Sequence, residues 1–323
     1  MKAVICTGYG APEVLQIQEV PTPTPKDNEV LIQIIATAVN FGEIRIRKPD
    51  PKIFVKLMFG WSKPKYPILG VVFSGEVVQV GKDVTKFRAG DQVFGNTDMT
   101  FGTYAEYRCM KEDDALVIKP ETLTHEEAAV IPFWGTTALA FLRKAWLQSG
   151  HKILVYGASG AVGTAAIQIA KAMWAHVTGV CSTANIDMVR SLWADKVIDY
   201  SKENFSENGV IYDIIMDTVG KMLLADGTKS LSETGVLVLS AAMLSDMIHG
   251  LWLSLTSKRK VIMWGFSVTA ELMASLKGLI EAGKMRAVID KTYTLDQIIE
   301  AHTYVEKWHK RGNVAVTVNG KKG

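Results

Sequence analysis

The sequence predicts an α/β protein in two parts, and three observations carry the prediction. Short β-branched runs broken by Pro and Gly fill residues 1–122, helical blocks alternate with apolar strands from about 125, and strand, helix and strand return after 283. A chain of 323 residues has room for two hydrophobic cores.

The strand-rich part rests on runs at 30–36, 71–80 and 92–94, with no long helical period beside them. In the alternating part, strands are expected at 152–156, 176–180, 196–199, 212–216, 235–240 and 260–264. Helical stretches separate them at about 125–147, 160–173, 185–192, 221–232 and 270–282. Such alternation builds a parallel sheet with crossover helices, doubly wound as in dinucleotide-binding domains. Residues 288–293 read as strand, 295–308 as amphipathic helix and 314–318 as a closing strand that rejoins the first part. The expected domains are therefore 1–122 with 284–323, and 123–283.

Composition narrows the function. Lys and Arg number 36 against 33 Asp and Glu, a net charge of +3, which gives no basic field for nucleic acid. The run Lys258-Arg259-Lys260 reads as a solvated turn before a strand. Cys6, Cys109 and Cys181 lie at no pairing or ligand spacing, as expected of a cytoplasmic chain without a disulfide framework. The N-terminal segment lacks the apolar length of a signal peptide and reads as the first strand. Residues 236–255 are apolar but carry Asp246 and His249, so membrane insertion is not expected.

The strand at 152–156 runs into Gly157-Ala158-Ser159-Gly160-Ala161-Val162-Gly163 and then an Ala/Ile-rich helix. Small residues let a backbone approach a pyrophosphate, Gly163 permits tight helix–strand packing, and the helix N-terminus supplies free N–H groups. Ala158 stands where the strict glycine pattern has its first glycine. The site at this turn is expected from Ser159, Gly160, Ala161 and Val162. The second strand ends in Cys181-Ser182-Thr183, without the Asp or Glu that bonds a ribose 2′-hydroxyl. Hydroxyls at Ser182 and Thr183 favour NADPH, with NADH left open because no Arg or Lys follows through Asn185. Tyr200 has two readings, against the adenosine or as a wet strand-end tyrosine. Thr218 with Val219, and Ser240 with Ala241, close the fourth and fifth strands at the end where ligands sit.

These residues resemble the zinc-independent branch of the medium-chain dehydrogenase/reductase superfamily, of the quinone oxidoreductase and zeta-crystallin type, over essentially the whole chain. The resemblance rests on Ala38-Val39-Asn40-Phe41-Gly42, Pro67-Ile68-Leu69-Gly70 with Gly75-Glu76-Val77, Gly90-Asp91-Gln92-Val93-Phe94-Gly95, Gly102-Thr103-Tyr104-Ala105-Glu106-Tyr107, the glycine loop, Ala194-Asp195-Lys196-Val197-Ile198-Asp199-Tyr200 and Gly312-Asn313-Val314. It implies a Rossmann-type domain inserted into a GroES-like catalytic domain. Where the zinc branch has Gly-His-Glu, this chain has Gly70-Val71-Val72, which cannot ligate a metal, and no zinc is expected.

The resemblance implies hydride delivery from the nicotinamide to a quinone or an α,β-unsaturated carbonyl. Asn40 either lines the nicotinamide and substrate side or bonds its own backbone. Thr137 resembles the threonine that meets the nicotinamide ribose or amide, and Phe266 and Asn313 complete that pocket. Glu43 is read as a solvated carboxylate, with proton transfer as its other reading. Residues 48–65 suggest an apolar entrance. The edge strand at 261–264 implies a homodimer.

Trp134, Trp146, Trp174, Trp193 and Trp308 stand where the family has glycine. Trp174 and Trp193 follow expected helices, so positive φ or a loosened helix end is predicted at both. Trp134 narrows the expected nicotinamide pocket. A second function class is therefore carried forward, a catalytically weak NADPH-binding protein with a regulatory, chaperone-like or RNA-associated role. Tyr107 and Lys111 have the spacing of a short-chain dehydrogenase pair but precede the glycine loop, the wrong chain order for that class.

Overall fold

The computed structural model describes residues 1–240, 250, 253–254, 256–263 and 267–318. Two compact units divide the chain, one of residues 1–133, 267–281 and 287 onward, the other running from Trp134 and including Ala282–Arg286.

In the first unit β1 (Lys2–Cys6) pairs antiparallel with β2 (Leu15–Glu19), and β3 (Glu29–Ala38) follows. Two short helices come next, α1 (Phe41–Arg47) and α2 (Lys52–Phe59). At two turns each, α1 ending before Pro49 and α2 lying between Pro51 and Gly60, they are too short to leave a helical period in the sequence. Then come β4 (Val72–Val80), β5 (Gln92–Asn96), β6 (Tyr107–Lys111), β7 (Leu116–Ile118) and α3 (His125–Val130). Helix α4 (Pro132–Lys144) starts afresh after Ile131, because a proline cannot continue the hydrogen-bond ladder of the preceding turn. The single helix expected at 125–147 is thus two.

The second unit alternates strand and helix. Its elements are β8 (Lys152–Tyr156), α5 (Ala161–Ala172), β9 (His176–Cys181), α6 (Ile186–Arg190), β10 (Lys196–Asp199), β11 (Tyr212–Asp217), α7 (Leu224–Ser230), β12 (Leu231–Leu239) and β13 (Lys260–Ile262). Among the described residues they form one parallel sheet in the order β10-β9-β8-β11-β12-β13. The direction of winding reverses between β8 and β11, the switch point where such sheets bind ligands. In β8, Ile153, Leu154 and Val155 are all buried, the unbroken apolar run that a strand covered on both faces requires. Strand β12 begins at Leu231, earlier than the expected 235, because a bulge absorbs 232–235 between the pairs Tyr212↔Leu231 and Ile214↔Val236. Trp264, expected in the last strand, lies outside the described residues.

The chain closes with α8 (Ala270–Glu281), β14 (Ile289–Thr294), α9 (Ile298–Glu306) and β15 (Asn313–Thr317). Helix α8 groups with the first unit, packed against β7, whereas the sequence suggested the nucleotide-binding part. The first unit's large sheet runs β14-β15-β3-β4-β5-β7, with β6 also on β3, over a core that includes Ile32, Ile34, Phe73, Val77 and Val93. Strand β15 lies antiparallel to β3 with Ala315 opposite Ala38, so the two halves of this unit join near the ends of the described chain.

Four helix ends carry tryptophan in the left-handed region: φ is +54° at Trp146, +62° at Trp174, +68° at Trp193 and +59° at Trp308. At α5 the N–H of Trp174 donates to Lys171 O at 3.0 Å and that of Ala175 to Ala170 O at 3.1 Å. The paired bonds are a Schellman motif, whose geometry demands positive φ and ordinarily takes glycine. Trp146 and Leu147 repeat it at α4, donating to Arg143 O and Leu142 O. The backbone thus keeps the glycine conformation under an indole. Lys284 lies over the Trp174 ring at 5.7 Å, Arg286 over Trp193 at 5.8 Å, and Phe41 packs on Trp308 with centroids 3.8 Å apart.

Candidate functional site

In the second unit the site begins where β8 ends. Gly157 turns the chain at φ +82°, and a Cβ there would meet Thr218 Oγ1 at 2.6 Å and Val219 Cγ1 at 2.7 Å. At Gly163 a Cβ would lie 2.3 Å from Gly157 O and 2.8 Å from the Ala158 Cα, so α5 packs on the loop as only glycine allows. Ala158 fits in place of the first glycine because Gly179 across from it has no side chain; a Cβ there would be 3.1 Å from the Ala158 Cβ. The Gly157 and Ala158 N–H groups both donate to Val180 O, at 3.1 and 2.9 Å, fixing the loop to β9.

Gly160 is the N-cap of α5, and among the described residues no side chain caps the helix. Its carbonyl accepts from Thr164 N at 2.9 Å, leaving the N–H groups of Ala161, Val162 and Gly163 in the first turn, where a helix has no internal acceptors. A row of uncapped donors beside a loop stripped of side chains fits a dinucleotide pyrophosphate, and Ser159, Gly160, Ala161 and Val162 all belong to it.

A second set of polar groups gathers at the ends of β9 and β10. Asn185, not among the residues the sequence marks for the site, donates from Nδ2 to Ser159 Oγ at 3.0 Å and to Ser182 Oγ at 3.2 Å, tying loop to strand end. Its signal is the three-residue spacing from Ser182. Thr183 donates to Asp199 Oδ2 at 2.5 Å, and Ser201 donates to Oδ1 from both N, at 3.0 Å, and Oγ, at 2.7 Å. These bonds, the Thr183 hydroxyl foremost, hold the Asp199 carboxyl below its ordinary range. The second strand does end without an acid, yet the third brings one to Thr183 and commits that hydroxyl's proton. Tyr200 is 57% exposed, its ring open to solvent.

At the end of β11, buried Asp217 accepts from the N–H groups of Val219 and Gly220, each at 2.9 Å, and of Met222 at 3.2 Å, shaping the turn that holds Thr218 and Val219. The Thr218 hydroxyl donates to Tyr156 O at 2.9 Å and to Gly157 O at 3.1 Å, so it braces the glycine turn. Ser240 donates from N and Oγ to Asp217 O. Ala241 and Phe266 lie outside the described residues. Thr137 is buried in α4, and Trp134, half-buried, sits one turn before it on the same flank.

The first unit supplies a second cluster. Val39 N donates to Val314 O at 3.1 Å as β3 and β15 leave their register, which brings Asn40 and Asn313 alongside one another from distant parts of the sequence. Asn40, 1% exposed, is the N-cap of α1. Glu43, also 1% exposed, accepts from the Asn40 N–H at 2.9 Å and from its amide Nδ2 at 3.1 Å. Glu43 is therefore no solvated carboxylate. Burial pushes its carboxyl up to about 7, the Asn40 hydrogen bonds drawing it part of the way back. Asn313 donates to Val288 O at 3.1 Å through Nδ2, while its buried Oδ1 has no hydrogen-bond partner among the described residues, an acceptor suited to a ligand amide. Val71 and Val72 are buried aliphatic residues beside Gly70. Among the described residues no group of three His, Cys, Asp or Glu side chains comes together to hold a metal.

Comparison with known proteins agrees with this layout. Residues 26–121 match the alcohol dehydrogenase GroES-like domain and 192–316 the family described as zinc-binding dehydrogenase. A 2-methylene-furan-3-one reductase of Solanum lycopersicum is 32% identical over 331 aligned residues, covering 98% of this chain and 79% of its own. An NADPH-dependent alkenal/one oxidoreductase of Arabidopsis thaliana is 30% identical, with the same two coverages of 98% and 79%. The solved quinone oxidoreductase of Coxiella burnetii superposes with a TM-score of 0.88 at 29% identity, covering 99% of both chains.

Proposed function

Because the chain belongs to the medium-chain dehydrogenase/reductase superfamily, among its quinone-oxidoreductase members, and is an oxidoreductase of that family, we propose that it uses NADPH to reduce a quinone or the double bond of an α,β-unsaturated carbonyl, without zinc. The observation that carries the cofactor is the glycine turn, where a Cβ at Gly163 would collide with Gly157 O at 2.3 Å and the first turn of α5 has no side-chain cap. Related proteins named as alkenal/one and furanone reductases support an activated double bond as the acceptor.

When bound, the nicotinamide supplies the hydride. The chain positions and polarises. Ser159, Gly160, Ala161 and Val162 take the pyrophosphate, Ser182, Thr183 and Tyr200 the adenosine ribose end, and Thr218, Val219 and Ser240 the dinucleotide's course along the strand ends. Asn313 Oδ1 would accept from the carboxamide, and Thr137 would meet the nicotinamide ribose or amide. One Asn40 amide proton is given to Glu43; the other donates to the acceptor carbonyl, drawing electron density from the double bond. Glu43 orients that amide. The metal position of the zinc branch is filled here by Val71 and Val72, which offer no ligand. A cytoplasmic homodimer through the edge strand β13 completes the reading.

The test follows oxidation of NADPH and of NADH with benzoquinone, phenanthrenequinone and methyl vinyl ketone. Turnover faster with NADPH supports the assignment. Tight NADPH binding without turnover of any acceptor assigns the second function class instead, in which the Trp134 ring beside Thr137 closes the nicotinamide pocket. Sedimentation velocity decides the dimer.

A further inference from the structure

Helix α2 turns an apolar flank to solvent. Ile53 and Leu57 are 75% and 78% exposed, Phe54 and Met58 stand beside them one helical step on, and Trp61, just past the helix, is 71% exposed. Val55, on the other side, is buried and fixes the rotation of the helix. A contiguous row of large exposed apolar side chains is a surface that something covers.

The charges beside it say what. Residues 48–65 carry five lysines and a single acid, Asp50. Lys48, Lys52, Lys63 and Lys65 are exposed around the row, and Lys56 holds its Nζ 5.5 Å from the Tyr9 ring and 5.7 Å from the Trp61 ring. Lys65 lies over Tyr66 at 5.7 Å. The pattern is an apolar stripe with lysines at its flanks and amphipathic aromatic rings at its border. A second copy of the same face would set five lysines against five lysines, which opposes self-association. With eight residues the helix lies far below spanning length.

We propose that α2 and the segment to Lys65 dock this protein on an anionic lipid surface. Ile53, Phe54, Leu57 and Met58 enter the boundary between headgroups and acyl chains, Trp61 rests at headgroup level, and the lysines meet lipid phosphates.

Flotation of the full-length protein with vesicles of phosphatidylcholine alone, or of phosphatidylcholine with phosphatidylglycerol, tests this. Retention on the anionic vesicles, weakening as salt is raised, is expected. Leu57→Asp lowers it about tenfold and the pair Lys63→Gln, Lys65→Gln several-fold, on an unchanged circular dichroism spectrum, since all three residues are exposed. No retention on anionic vesicles, or retention indifferent to Leu57→Asp, overturns the proposal. It falls equally if Leu57→Asp dissociates an oligomer in the absence of lipid, which gives the face to a second copy. A vesicle-free rise in quinone KM with retention unchanged gives it to the substrate entrance.

Discussion

The Asn40 backbone N–H and the Asn40 amide both donate to the carboxylate of Glu43, at 2.9 and 3.1 Å, and both residues are buried. One buried acid thereby sets the N-terminus of α1 and the direction of the residue assigned to the acceptor carbonyl.

The pairing has a pH signature. Burial lifts Glu43 to about 7, whereas an unfolded glutamate titrates near ~4.3. Between those values the native state holds a proton that the unfolded chain has lost, so the contribution is greatest at the acid end and disappears as pH rises through about 7. Glu43→Gln keeps the volume and removes the titration. Its Tm is expected to vary less than the parent's between about pH 5 and about pH 8, which corresponds to a stability difference of about 2–3 kcal/mol at the alkaline end. The limb of the kcat/KM profile near neutrality should go with it. Parallel Tm curves for the two proteins would remove Glu43 from this role.

The left-handed tryptophans predict stabilising substitutions. Trp146→Gly and Trp174→Gly place the residue suited to positive φ at each Schellman motif, and both are expected to gain about 1 kcal/mol in urea unfolding. Trp308→Gly should gain less, because it gives up the contact with Phe41 at 3.8 Å. Two glycine variants less stable than the parent would mean that the indoles contribute more than the backbone conformation costs.

Asp199 predicts cofactor preference. Its carboxylate, 2.5 Å from the Thr183 hydroxyl, sets negative charge at the end assigned to the 2′-phosphate. Asp199→Asn should lower the KM for NADPH by about 3- to 10-fold and that for NADH less, since removing a like charge favours the dianion. Equal effects on the two cofactors would place the carboxylate away from the phosphate.

Gly163→Ala tests the cradle. A Cβ 2.3 Å from Gly157 O forces the loop and α5 apart, and a nucleotide affinity lower by at least about tenfold is expected from fluorescence titration, with a loss of about 2 kcal/mol or more in stability. Unaltered binding would show that the turn does not hold the pyrophosphate.

How much of this the sequence displays depends on how locally each feature is determined. Strands 152–156 and 196–199 are correct to the residue because apolar composition and flanking turns fix them. The positive φ at Trp174 and Trp193 follows from where two helices must stop. Helices α1 and α2 leave no period in the sequence because each has only two turns, and 125–147 divides at Pro132, which ends the preceding turn within an otherwise continuous helical pattern. In the candidate site, the glycine loop is legible because its chemistry is consecutive. Asn185 and Asp199 are not, since each has a partner at another strand end, Ser159 for the one and Thr183 for the other. Glu43 looks solvated in the sequence for a related reason: its neighbour Asn40 is close in sequence, but the burial that raises its pKa comes from tertiary packing.

The pairing of β15 with β3 also orders events in time. Residues 134–263 of the second unit emerge from the ribosome almost in one piece, apart from Ala282–Arg286, whereas Ala38 must wait for Ala315 before its edge of the first sheet is covered. During synthesis the β3 groups that pair with β15 wait while the second unit is completed, a long-range closure that comes late. A truncation that removes β15 would therefore injure the half of the protein made first.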